Sequence, residues 1–461
     1  MIKKFVNLNK IDFIYLYLNL IIYCFTIFIF VYQTSKTLQP YVDEIVSITA
    51  NLGFFFDRFN FEGPRGTIYQ GIYSPFLTSP PLSAVGTVLS WKLTNNFYLI
   101  RFSNFLWVFG IQIIFNYFIS KNYKIYFYKI NLLSGFALTS FPFWFGSLYS
   151  LGEASSIIIF LNSILLYKFY PRIMFFLVGL IPFFGKIILT PGILIFIIFS
   201  LFTTSATLKN KIINLIYFLT PTLIWFILIL SFSKYKSVYE YFLHFNYHFS
   251  HMNSQVGSLN IIDVFNFNNI VKSFENSEAH TWSLIVKLRL FLPPILLFLL
   301  VVKNKGKDLL FELNQLRTLI ISLLPVFGWF VFIALEKPII YSAHFTYPCL
   351  FISCLFLLNF PYNENTTNFV SFFIMSLFFN SGVLFVIAHF LYFFINLKKY
   401  DVFLIILILI NLNFINGISE LQEKTIFDIN IEKCKKSYVS YECFDSFTNT
   451  NGKYDFVENS F

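Results

Sequence analysis

The chain has 461 residues, 57% of them hydrophobic and only 12% charged, with a mean hydropathy of +0.69. Soluble domains carry about 45–50% apolar and about 25% charged residues, so this composition excludes a water-soluble fold, and it leaves too much to bury for a disordered chain. The net charge of +10 sits in short segments between apolar runs, such as Lys121-Asn122-Tyr123-Lys124 and Lys303-Asn304-Lys305-Gly306-Lys307, which is the pattern of cytoplasmic loops and not of a nucleic-acid surface.

These features predict an all-α polytopic membrane protein with about 11–13 membrane-spanning helices. Met1-Ile2-Lys3-Lys4 leads into an apolar stretch over 11–32, too long for a signal-peptide core and without a small-residue cleavage site, so it reads as an uncleaved first span starting in the cytoplasm. Residues 33–96 form a polar outer loop containing Asp43, Glu44, Asp57, Arg58, Glu62 and Arg65. Ile45, Ile48 and Leu52 fall on one side of an interfacial helix over 42–56. Further spans are predicted near 98–118, 130–149, 153–169, 172–187, 190–205, 212–233, 284–302, 318–335 and 344–360, with one or two more in 368–396 and a last near 402–416.

Loops at 119–125, 207–211 and 303–317 hold Lys and Arg and face inward. The 33–96 loop, the turn at Gly152-Glu153, a second large loop over 234–283 and the turn at Glu336-Lys337-Pro338 then face outward. Residues 1–416 form one transmembrane domain, and 417–461 a small polar tail. Cys24, Cys349 and Cys354 lie in apolar runs as small hydrophobes, whereas Cys434 and Cys443 share the tail and can pair in an oxidising compartment. The 66 Phe and 28 Tyr residues are read as apolar filler, not as a stacking surface.

Neither a Walker loop nor a Rossmann glycine fingerprint is present, so any chemistry falls to the spans and outer loops. Adjacent carboxylates at Asp43 and Glu44, just outside the first span, repel one another at an interface and raise the proton affinity of one of the pair, which suits a general base. Thr78-Ser79-Pro80-Pro81-Leu82 makes a rigid extended corner that starts a helix at Leu82. Arg101 follows at the mouth of the second span; read alone, it is a cation snorkelling to the interface.

An acidic pair after the first span, a Pro-Pro-Leu corner and an Arg opening the second span, in this order, resemble the GT-C membrane glycosyltransferases. The likeness is to the branch holding protein O-mannosyltransferases, lipid A aminoarabinose transferases and related lipopolysaccharide sugar transferases. It is clearest over 38–110. The residue before Pro-Pro is often His or another polar group in that family, and here it is Ser79.

The resemblance implies a GT-C-like fold with Asp43 as catalytic base and Glu44 beside it. Glu153 then stands where relatives often carry a second acidic residue; alone, it is a helix N-terminal carboxylate favoured by the dipole. Lys186 interrupts the otherwise uncharged stretch 181–195, in which Pro191-Gly192 then breaks the helix; a charge within a span is a functional candidate, and the resemblance implies contact with a lipid phosphate. His344-Phe345 occupies the place of an Arg-Tyr pair in relatives, so a third cation there depends on pH. His244 and His248, four apart in the second outer loop, share a helical face; they are acceptor-contact candidates, with no third residue to complete a metal site. Tyr241 to Asn253 also reads as an amphipathic interfacial helix.

The implied reaction transfers a sugar from a polyprenyl-phosphate donor to a hydroxyl of a glycolipid, lipopolysaccharide or protein acceptor, with inversion, at the outer face of a bacterial inner membrane. Lys186, Arg101 and His344 would bind the donor phosphate. No cofactor is implied; a divalent metal is compatible with the chemistry and not required by it. The expected partners are the lipid-linked donor, the acceptor and membrane lipids, with no nucleic acid. The rival reading is a polytopic transporter or lipid flippase, which would place ionisable residues in broken helices near mid-bilayer.

Overall fold

The computed structural model describes residues 81–82, 85–86, 97–123, 127, 130–131, 134, 153–203, 206–232, 236–243 and 295. These residues are helical or lie in the turns between helices, and no strand occurs among them. In chain order the helices are α1 (Phe97–Tyr123), α2 (Glu153–Leu166), α3 (Pro171–Phe184), α4 (Thr190–Thr203) and α5 (Leu208–Phe232), with a 3₁₀ turn at Ile187–Leu189 ahead of α4. Each coincides with a predicted apolar run, and the ends differ by a few residues.

The turns follow from local chemistry. The amides of Phe169 and Tyr170 both donate to the Leu166 carbonyl (3.0 Å each), closing α2. Pro171 then opens α3, where its preset φ suits the first turn and its missing N–H costs nothing. Ahead of α5, Thr207 acts as the cap: the Lys211 amide donates to its carbonyl (3.1 Å) and the Asn210 amide reaches its hydroxyl (3.5 Å).

Side-chain contacts set the directions. α1 and α2 run the same way: Gln112 meets Asn162, and further along the Tyr123 hydroxyl donates to the Leu165 carbonyl (2.6 Å). α2 and α3 are antiparallel, so Ser156 near the start of α2 meets Lys186 just beyond the end of α3. α4 returns against both, and its buried Phe196 ring touches Phe160 of α2, Tyr167 of the turn and Phe175 of α3. α5 runs alongside α3 in the same direction. Gly179 rests on the Phe218 carbonyl, where a Cβ would collide with backbone, and farther along Phe183 and Phe184 pack on the fully buried Trp225.

Two helical stretches, Ser103–Tyr123 and Leu208–Phe232, are long and apolar enough to cross a membrane. α5 is the more exposed of the two, with Ile212, Ile216, Leu219, Leu223, Ile227 and Leu230 open along one stripe. At 1.5 Å per residue that stripe runs about 27 Å, close to the hydrocarbon thickness of a bilayer. α2, α3 and α4 have 14 residues each. Each therefore measures about 21 Å, less than a straight crossing needs.

Charge divides between the two ends. The end holding the last turn of α1, the α2–α3 turn and the start of α5 carries Lys121, Lys168, Arg172, Lys209 and Lys211, with no acidic residue among the described ones. The opposite end carries Arg101, Glu153, Lys186, Lys236 and Glu240, a mixture of both signs.

Candidate functional site

The end with mixed charge is where the described candidates gather. Pro81 and Leu82 are both helical and Pro81 is buried, so the helix that the paired-proline corner predicts from Leu82 already includes Pro81. This corner docks on α1: the Trp107 indole donates to the Leu82 carbonyl (2.7 Å), and Gly86 backs onto Ser103. Arg101 lies on α1 two residues before that contact, and Glu153 is the first residue of α2.

Lys186 stands in a break between two helices. α3 closes with the Gly185 amide donating to the Ile181 carbonyl (2.9 Å), Lys186 is extended, and the Leu189 amide then donates to the Lys186 carbonyl (3.1 Å) to start the 3₁₀ turn. The Lys186 amide donates to the Ser156 hydroxyl (2.9 Å). Only a glycine permits that approach at position 185, because a Cβ there would sit 2.6 Å from the Ser156 Oγ and 2.9 Å from the Ile181 carbonyl. Ser156 lies three residues after Glu153, on the same face of α2. One hydrogen bond thus ties the Lys186 backbone to the turn of α2 that Glu153 begins. The Lys186 side chain is half-buried at this junction.

Glu153 and Lys186 are therefore brought to one junction, and Arg101 to the same end on a helix parallel to α2. Asp43, Glu44, His244, His248 and His344 lie outside the described residues, as do Cys434 and Cys443. No group of three or more His, Cys, Asp or Glu side chains gathers among the described residues.

Just beyond α5 the chain folds back on the bundle. The Glu240 amide donates to the Ser237 hydroxyl (3.1 Å), while the Glu240 carboxylate accepts from the Lys236 amide (2.8 Å), one residue before the cap, and together these start a helical turn over 238–243. The sequence predicts a helix from Tyr241; the cap starts it at 238. Tyr241 is buried against Trp225 and Phe226. Burial pushes its phenol up to about 12, with the Trp225 indole beside it acting in the opposite direction.

Sequence reasoning missed a buried amide cluster on the other flank. Gln112 and Asn162 exchange hydrogen bonds: Asn162 Nδ2 donates to Gln112 Oε1 (3.0 Å), and Gln112 Nε2 donates to Asn162 Oδ1 (3.4 Å) and to Asn116 Oδ1 (2.7 Å). Asn116 Nδ2 in turn donates to Asn131 Oδ1 and to Ser134 Oγ (2.8 Å each), and the Ser134 hydroxyl donates to the Ile130 carbonyl (2.7 Å). All five side chains are buried. The signal that could have found it is two amides four apart, Gln112 and Asn116, in an otherwise apolar run.

No family model, curated protein or solved structure matches the chain.

Proposed function

We propose that this chain is a polytopic membrane glycosyltransferase of GT-C type, with about 11–13 spans, in the inner membrane of a bacterium. It moves a sugar from a polyprenyl-phosphate donor to a hydroxyl acceptor at the outer face. Asp43 takes the proton of the acceptor hydroxyl as that oxygen attacks the anomeric carbon. The bond from that carbon to the phosphate oxygen breaks, and the configuration inverts. The departing lipid phosphate gathers negative charge, which Lys186 and Arg101 offset, with His344 as a third cation when protonated. Glu44 and Glu153 orient the acceptor or sugar hydroxyls, and His244 and His248 contact the acceptor.

The observation that carries this reading is the Ser156–Lys186 bond (2.9 Å). It fixes the backbone of a lysine at a helix break beside the turn that Glu153 opens, at the end where the proline corner docks. The end rich in cations alone faces the cytoplasm. The broken segment around Gly185-Lys186 also suits a transporter or flippase, which is the second reading.

Membranes carrying the full chain, given a radiolabelled polyprenyl-phosphate sugar, separate the two. Transfer releases lipid phosphate and labels a hydroxyl acceptor, whereas transport moves intact donor between leaflets. Asp43→Asn lowers transfer by about 10²–10⁴-fold, the range for loss of a positioned base. Full transfer activity in both Asp43→Asn and Glu153→Gln proteins of normal abundance overturns the assignment.

A further inference from the structure

The end opposite the candidate site concentrates positive charge in a particular way. Lys121, Lys168 and Arg172 are all exposed and are held together by aromatic contacts: Tyr123 lies edge-on to Phe169 (ring centroids 5.3 Å apart) and Phe118 to Tyr170 (5.4 Å). The Asn122 amide also donates to the Tyr170 hydroxyl (3.2 Å), closing the seam between α1 and the start of α3. Lys209 and Lys211 extend the same end across the start of α5.

What lies beside these cations decides their partner. Lys121 stands one turn beyond exposed Ile114 and Tyr117 on one face of α1, and Lys209 stands at the head of the exposed Ile212–Ile216–Leu219 stripe of α5. Arg172 adjoins exposed Ile173. Cation above, apolar stripe below, is complementary to a molecule with an anionic head and a hydrocarbon tail. A soluble phosphate or an acidic peptide would leave the stripes uncovered. Tyr123, Phe169 and Tyr170 among the cations match the aromatic level of a membrane interface.

We infer that this end binds anionic phospholipid, the head group on Lys121, Lys168 and Arg172 and the acyl chains along the exposed face of α1 below Lys121. The inference rests on the membrane reading of the helices and is independent of sugar transfer. The site is distinct from any donor-phosphate site at Lys186, because it occupies the opposite end of the bundle.

The test uses the full chain extracted from membranes in neutral detergent, with equal amounts of phosphatidylglycerol and phosphatidylcholine, read by native mass spectrometry. Phosphatidylglycerol adducts are expected to dominate. Lys121→Gln, Lys168→Gln and Arg172→Gln each weaken them about five-fold, and the triple variant removes the preference while phosphatidylcholine retention stays constant. Lys236→Gln, at the other end, leaves the preference unchanged. Equal retention of the two lipids by the unaltered protein overturns the inference, as does a preference that survives the triple substitution or falls equally in Lys236→Gln. Displacement of the lipid by an oligonucleotide at equal phosphate also overturns it and assigns the surface to nucleic acid. Recovery of the chain in the soluble fraction overturns this inference and the membrane reading together; membrane recovery without lipid preference overturns this inference alone.

Discussion

The two flanks of the helical unit are held by different physics. Where α1 meets α2 and residues 130–134, five buried polar side chains bond to one another through directional bonds spanning residues 112 to 162. Where α3 meets α5, contact is made by shape, with Gly179 letting two backbones close and Phe183, Phe184 and Trp225 filling the space above. The difference matters most in a bilayer, where lipid tails are as apolar as Leu and burial of hydrocarbon no longer drives helices together. There, amide bonds choose partners and small residues permit close approach, and this molecule assigns one device to each seam.

The largest effect is expected where shape rules. Gly179→Val drives a branched side chain into the Phe218 carbonyl and costs about 3 kcal/mol or more, read as a lowered melting temperature of the detergent-solubilised protein. Gly110 of α1 faces open space, with nothing within 4 Å of where a Cβ would stand, so Gly110→Ala is the matched control. It should stabilise by about 0.5–1 kcal/mol, because alanine loses less backbone freedom in a helix. Destabilisation of equal size at both positions would break the distinction between the seams.

Tyr241 tests the upper end of the apolar seam through pH. Its folded phenol titrates near 12 against an ordinary 10.0, so the folded state holds the proton more tightly than the unfolded chain. The stability this contributes is complete below pH 10 and is lost as pH rises through 12, amounting to about 2–3 kcal/mol. Tyr241→Phe should remove that part of the alkaline loss, seen by comparing melting curves of the two proteins between pH 9 and about pH 12. An unchanged alkaline profile would place the phenol in contact with water.

A smaller loss is expected from the polar seam. Asn116→Leu removes at once the bonds that Asn131, Ser134 and the Gln112 amide make to Asn116 and should cost about 2 kcal/mol, although Ser134 keeps the Ile130 carbonyl and Gln112 keeps Asn162. Replacing Gln112 and Asn162 together by Leu should cost less than the sum of the single changes, since neither partner is then left unpaired. Additive losses would show that the amides act singly and not as a network.

Much of the helical layout is legible in the sequence. The runs near 153–169, 172–187 and 212–233 mark α2, α3 and α5, but the break expected at Pro191-Gly192 falls at Gly185-Lys186 instead, and Pro191-Gly192 lie in the first turn of α4, where a proline's missing N–H costs nothing. At the proline corner the helix expected from Leu82 already includes Pro81. The apolar pattern places the helix after α5 at Tyr241, yet it starts earlier, because the Ser237–Glu240 cap fixes the first turn and that pattern does not reveal it. Of the site, the sequence names Glu153 at an outward turn and Lys186 within a span as separate candidates, and the bond that brings their helices to one junction is tertiary. Its agent, the Ser156 hydroxyl, is invisible in the sequence, since one serine among many in an apolar helix carries no distinguishing signal.

Sequence alone determined that these segments are helical and that positive charge collects in alternate connections, because apolar run length and charge are local properties. Tertiary structure decided which faces meet: Gln112 with Asn162, Ser156 with Lys186, Gly179 with Phe218. In helices that are apolar nearly all the way round, periodicity points to no particular neighbour. The partner is chosen only when a hydrogen bond or a missing side chain makes one contact better than the rest.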